Sequence, residues 1–223
     1  MRVSLHLKQI TYGGNDGIVT TFAIVAGFAG AQAEGAGQIG AVAVLVFGMA
    51  NLLADGLSMG LGEFLSTRSQ AKLYHSERRK VLDIAARDPE ALAAALAARG
   101  MAQEAAQQAA HLLATAPELA ADLLADHSMD LPDMREARPL RDGLITFVSF
   151  LAFGLVPLLP YLLAGPEEGS LGASVAATAA ALFALGLLRG HATGEGYGRA
   201  VAEVVGVGGL CALAAFAVGA VIG

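Results

Sequence analysis

A single cysteine, Cys211, in a chain of 223 residues excludes a disulfide framework within the chain and any metal site built from cysteines. Its expected role is to fill a packed apolar setting. Charge is scarce too: Asp, Glu, Lys and Arg make up 15% of the residues, against 55% hydrophobic. Together with a mean hydropathy of +0.58, that balance lies outside the soluble range and indicates an integral membrane protein. No G-x-x-x-x-G-K-[ST] string occurs, which argues against nucleotide hydrolysis within the chain. There is no H-E-x-x-H pair for an intramembrane metalloprotease. No nucleophile with its base and no complete catalytic ligand set can be assembled, so neither an enzyme nor a cofactor is expected. The N-terminal string MRVSLHLKQITYGGNDG lacks an apolar core followed by a small-residue cleavage site, and is not expected to be a removed signal peptide.

What the chain does have is long apolar runs. Five reach or approach the roughly 20 residues a spanning helix needs: Ile18 to Ala33, Ile39 to Leu65, Leu144 to Ala164, Leu171 to Leu188 and Val201 to Gly223. The second exceeds what a bilayer requires and should run on into water. The 14 Lys and Arg residues fall before the first run (Arg2, Lys8), between the second and third, and between the fourth and fifth (Arg189, Arg199). The loops at Gln32 to Gln38 and Gly165 to Ser170, and the C-terminus, contain none. The positive-inside rule then predicts a cytoplasmic N-terminus, an outward C-terminus and an odd number of spans. Three segments follow: 1–66 with two spans, a polar alanine-rich insert over 67–139, and 140–223 with three spans.

Most of the acids and bases lie in or beside the insert, so the net charge of −6 is an average over two unlike environments and says little about partners. No nucleic-acid partner is expected. Within the insert, Asp88 before Pro89 is a helix start signal, Gly100 a stop, and Pro117 and Pro132 punctuate further turns. Three or four short cytosolic helices are predicted, with apolar faces supplied by residues such as Leu92, Leu96, Leu113, Leu123 and Leu124. Hairpin signals and β-branched runs are missing, so no sheet is expected and the fold class is all-α.

Asn51, Asp55, Met59 and Glu63 recur every fourth residue inside the second apolar run. Each four-residue step turns a helix by about 400°, so the stripe drifts only ~40° per step and climbs roughly 18 Å. An acid near the bilayer centre costs about 2.5 to 3.5 kcal/mol on insertion scales, which makes an intramembrane carboxylate a pointer to an ion or proton path. Oxygen donors with a thioether among them suit a divalent cation. Asp16 opens the first apolar run, where it is read either as a helix cap, with Asn15 the other candidate cap, or as a ligand at the cytoplasmic side of the path. Asn51 and Met59 have ordinary packing roles when taken singly, and their value lies in sharing the stripe. Asp142 and Glu203 stand at span boundaries, where a helix-end charge or snorkelling explains them equally well. In the insert His75, Glu77, His111, His127, Met129 and Met134 show no strict ligand spacing, and a solvated surface is the better reading. Small residues four apart (Gly13 and Gly17, Ala26 and Gly30, Ala50 and Ala54, Gly56 and Gly60, Ser58 and Gly62) allow close helix contact between spans or between subunits.

The strings YGGNDGIVTTFAIVAGFAGA and NLLADGLSMGLGEFLSTRSQ, then FVSFLAFGLVPLLPYLL and LGLLRGHATGEGYGRAVAEVVGVGGL, strongly resemble the vacuolar iron transporter family. The resemblance covers nearly all the membrane part, and the D-G and S-M-G-x-G-E-[FY]-L-S strings are specific. It implies five spans, an insert after the second, a homodimer in the lipid bilayer, and movement of Fe²⁺, often Mn²⁺, out of the cytosol in exchange for protons. Asp16 falls on the family's first-span aspartate and Met59 on its second-span methionine, both similar to residues lining a path at the dimer interface; Glu63 belongs to the same motif. Some members carry an acid at the position of Asn51, and Asp55 is placed to supply part of that charge. The insert departs from the pattern: a row of glutamates is replaced by SQAKLYHSERRKVLDIAARDPE, in which Glu77 stands amid Arg78, Arg79 and Lys80. Clustered cations repel a divalent ion, so multi-metal capture is not expected there, and His75 with Glu77 is the weaker candidate site.

The expected protein is thus a divalent metal transporter in a bacterial-type inner membrane, with insert and N-terminus cytoplasmic. Its metal ligands would be Asp16, Asn51, Asp55, Met59 and Glu63. The rival reading is a non-transporting receptor or scaffold whose insert binds a protein partner.

Overall fold

The computed structural model describes residues 6–31, 37–121, 134–163 and 171–222, and the statements below concern these. Every regular element among them is helical: α1 (Leu7–Gly30), α2 (Gly37–Arg87), α3 (Pro89–Ala97), α4 (Gln103–Ala114), α5 (Pro139–Gly154), a 3₁₀ turn (Val156–Leu158), α6 (Leu159–Leu163), α7 (Leu171–Thr193) and α8 (Tyr197–Ile222). The chain divides into two compact units, one of residues Met1–Phe64 and Leu140–Gly223, the other Leu65–Pro139. The expected loops at Gln32 to Gln38 and Gly165 to Ser170 lie largely or wholly outside the described residues, as do Leu123, Leu124, His127, Met129, Pro132 and the C-terminal Gly223.

In the first unit α1 packs against α5, α7 and α8, and one apolar cluster joins it to α2 and α6. Hydrophobic attraction between spans is weak in lipid, so close backbone approach and van der Waals contact supply the cohesion. A Cβ built on Gly17 would lie 2.4 Å from the Phe150 carbonyl oxygen of α5. Gly60 and Gly143 form a second such crossing between α2 and α5, where a Cβ on Gly143 would lie 2.5 Å from the Gly60 carbonyl oxygen. Around these crossings sit two apolar clusters. Phe22, Val25, Val44, Leu158 and Tyr161 form one; Ile18, Leu182, Leu185 and Val204 form the other. Pro157 and Pro160 interrupt the third apolar run, because a proline removes an intrahelical donor and crowds the preceding turn. The result is the 3₁₀ turn between α5 and α6.

Four helical stretches among the described residues are long and apolar enough to cross a membrane: Ala41–Lys80, Pro139–Leu163, Leu171–Thr193 and Tyr197–Ile222. α1 is long enough, but Asn15, Asp16 and its glycines dilute its apolar content. It is nonetheless well enclosed, with Ile18 and Thr21 fully buried and Val25 nearly so.

The second unit has its own small core of Leu92, Ala93, Ala110 and Ala120, with Leu96 and Leu113 packed on it. The start signal at Asp88 is realised: its carboxylate accepts the Ala91 backbone N–H at 2.9 Å, satisfying one free donor of the first turn, and Pro89 occupies a position that has no donor to lose. Gly100 follows α3 with φ of 92°, a left-handed conformation that glycine adopts at no steric cost. Residues 117–121 form a further helical turn starting at Pro117.

Two expectations are corrected. α1 begins at Leu7, so Asn15 and Asp16 stand within a helix rather than capping it; the residue at the N-cap is His6, without a side-chain cap bond. Hydropathy marks where apolar residues begin, whereas the backbone ladder extends through the polar turns ahead of them. Cys211 is exposed on the surface of α8 instead of packed in a core.

Candidate functional site

The sequence stripe survives as a physical seam. Asn51, Asp55, Met59 and Glu63 are all half-buried on α2. On one side of them Leu52, Gly56 and Gly60 are buried in the unit; on the other Leu53, Leu57 and Leu61 are exposed at 49%, 52% and 59%. Alternate helix faces explain this, since residues four apart stay in line while their neighbours rotate by about 100° per residue.

Asp16 of α1, also half-buried, comes close enough to Asp55 for their charges to interact. Its backbone carbonyl accepts the Thr20 hydroxyl at 2.7 Å. Asp55 Oδ2 accepts the Asn51 side-chain amide at 2.8 Å, so two rungs of the stripe are bonded along the helix. At the other end Glu63 Oε1 accepts from Lys8 Nζ and Gln9 Nε2 of α1, each at 3.2 Å. Met59 lies between these bonded ends. No three His, Cys, Asp or Glu side chains converge into a metal cage among the described residues. The donors are therefore arranged as a ladder, with a helical rise of about 6 Å between rungs. Such a ladder places oxygen and thioether donors at successive levels of one helix.

Near Asn51 an apolar cleft of about 640 Å³ opens between α1, α2 and α8, with Phe28, Phe47 and Val218 in its walls and Asn51 as its polar lining residue. The Phe28 and Phe47 rings stand 5.9 Å apart across it. The outer face of α2 carries Ala50, Ala54, Ser58 and Gly62 among the exposed leucines, and a Cβ on Gly62 would meet nothing within 4 Å. Two of the small-residue pairs are thus left exposed among the described residues, while Gly13 and Gly17 meet α5 and Gly56 and Gly60 meet the same helix.

The weaker candidates are not brought together. His75 is exposed with its ring edge-on to Tyr74, and the Glu77 carboxylate accepts from Lys80 Nζ at 2.6 Å. Residues two apart on a helix do not face each other. Arg78 pairs with Glu118. Asp142 lies 3.9 Å from His6 Nδ1 and 3.7 Å from Arg141 Nε. Glu203 accepts from Arg189 at 2.9 Å and Arg199 at 3.0 Å. His111 is exposed and Met134 half-buried. The sequence reading missed Lys8 and Gln9, whose link to Glu63 spans more than fifty positions; the sole local signal was a base just ahead of an acidic path.

An all-helical bundle with long apolar spans and a ladder of polar side chains on a spanning helix defines an integral membrane protein built for passage of a solute. The chain belongs to the VIT family, whose model matches residues 7–220; this is a transporter family, and the chain is not an enzyme. Among similar proteins, vacuolar iron transporter 1 of Arabidopsis thaliana is 29% identical over 220 residues, covering 97% of this chain and 86% of that protein. Vacuolar iron transporter 2 of Oryza sativa subsp. japonica is 28% identical, covering 94% and 85%. The vacuolar iron transporter of Toxoplasma gondii is 26% identical, covering 97% and 74%.

Proposed function

We propose that this chain moves Fe²⁺, and Mn²⁺ as a second cargo, out of the cytosol in exchange for protons, along a path lined by α1 and α2 at a homodimer interface. The observation that carries the reading is the half-buried ladder of Asn51, Asp55, Met59 and Glu63 with Asp16 beside it, in a chain whose relatives are named iron transporters. Carboxylates bind a cation only when deprotonated, so metal and protons compete for Asp16, Asp55 and Glu63, and that competition supplies the coupling. The Met59 thioether is a softer donor that favours Fe²⁺ over Mg²⁺ or Ca²⁺. The unpartnered small-residue face of α2 supports a second copy packing there, because small residues let membrane helices approach closely. α1 counts as the fifth span in this reading: its polar Asn15 and Asp16 are half-buried among the helices around it, which reduces their contact with lipid. The distribution of Lys and Arg supports a cytosolic N-terminus and insert.

The test is uptake of Fe²⁺ into liposomes containing the purified protein. An acidic interior should accelerate uptake, the interior should lose acidity as metal enters, and Asp16→Ala, Met59→Ala and Glu63→Ala should each slow it while the protein stays folded and dimeric. Absence of metal flux would favour a receptor; equal uptake with and without the pH gradient at matched membrane potential would identify a channel.

A further inference from the structure

We propose that Lys8 is a tethered competitor for the incoming cation at Glu63, and so sets the metal concentration at which the path loads. This rests on the transport reading above. The Lys8 ammonium lies 3.2 Å from Glu63 Oε1, and Gln9 donates to the same oxygen. The two partners differ sharply in exposure: the Lys8 side chain is 72% exposed, that of Glu63 only 10%. An enclosed carboxylate is thus neutralised by a cation that arrives from solvent on a flexible four-carbon stem. A divalent ion binding Glu63 must either displace that ammonium or sit beside it against like-charge repulsion, and both weaken loading.

Lys8 has somewhere to go. It also borders a cleft of about 560 Å³ lined by Thr11, Asn15, Arg189 and Glu203. The Thr11 hydroxyl and the Asn15 side-chain carbonyl are sealed from solvent behind that lining, so a displaced ammonium, already 72% exposed, is received by water in the cleft. Glu203 is already held by Arg189 and Arg199. The cleft therefore offers Lys8 water and, among its described lining, no free carboxylate, and Glu63 remains its strongest partner once metal has moved on.

The experiment compares the intact purified protein with Lys8→Gln, Lys8→Arg, Glu63→Gln and the Lys8→Gln/Glu63→Gln double variant, measuring Mn²⁺ affinity by EPR titration and KM for Fe²⁺ uptake in liposomes. Removing a pair with one solvated partner should tighten Mn²⁺ binding and lower KM by roughly two- to fivefold in Lys8→Gln. Lys8→Arg should stay near the native values, and Lys8→Gln should change nothing in the Glu63→Gln background. An unchanged or weaker affinity in Lys8→Gln overturns the proposal, as does an equal gain when Glu63 is already neutral, which would mean a general surface-charge effect. If the native protein carries no Fe²⁺, the transport reading fails instead, and the Mn²⁺ titration still decides whether Lys8 competes at Glu63.

Discussion

Replacing Gly17 with alanine should damage both the bundle and the path. A methyl group at this position would stand 2.4 Å from the Phe150 carbonyl oxygen and 3.1 Å from the Gly154 amide nitrogen. Both neighbours are backbone atoms of α5, which cannot rotate aside as a side chain can. Restoring ordinary contact near 3.4 Å requires α1 and α5 to separate by about 1 Å, a distortion of the kind that costs about 1–3 kcal/mol in packed cores. Alanine's better helix propensity returns up to ~1 kcal/mol against glycine, so the net loss is roughly 0–2 kcal/mol, toward the upper end because both opposing atoms are backbone. Asp16 precedes Gly17 on the same helix, and a shift of that size would also move its carboxylate relative to Asp55. Thermal unfolding in detergent, followed alongside Fe²⁺ uptake in liposomes, tests both effects. The control is Gly209→Ala on α8, where a Cβ meets nothing within 4 Å; it should be unchanged or stabilised by up to ~1 kcal/mol. A Gly17→Ala protein as stable and as active as the native one would refute the close-packing argument.

Two more predictions concern other parts of the chain. Single cysteines introduced into a Cys211→Ser background should be labelled from the cytosolic side at His75 and His191 and from the opposite side at Ile222; a cytosolic Ile222 would sink the five-span topology. Asp88→Ala should cost the insert about 1 kcal/mol by removing the cap on α3, visible as faster amide exchange over Pro89–Ala97, while Fe²⁺ uptake stays within twofold; unchanged exchange would show that the cap contributes nothing.

Much of this protein is determined by local sequence. The four helices long and apolar enough to cross a membrane, the continuation of α2 beyond its apolar run, the cap at Asp88 and the ladder from Asn51 to Glu63 follow from hydropathy, a helix start signal and a four-residue period. Those signals act within one helix and need no knowledge of what packs against it. The start of α1 was not legible in the same way: its first turns are polar, and their helical state depends on burial such as that of His6, Gly13 and Gly14 against other elements. Which small-residue pairs meet a neighbouring helix and which remain open was likewise decided by tertiary structure, since Gly17 and Gly62 look alike as letters. The same holds for Lys8 on Glu63 and Arg189 on Glu203. An ion pair between helices depends on their crossing and rotation, and these are set by close backbone contacts such as Gly17 on Phe150 and Gly60 on Gly143, between residues far apart in the chain.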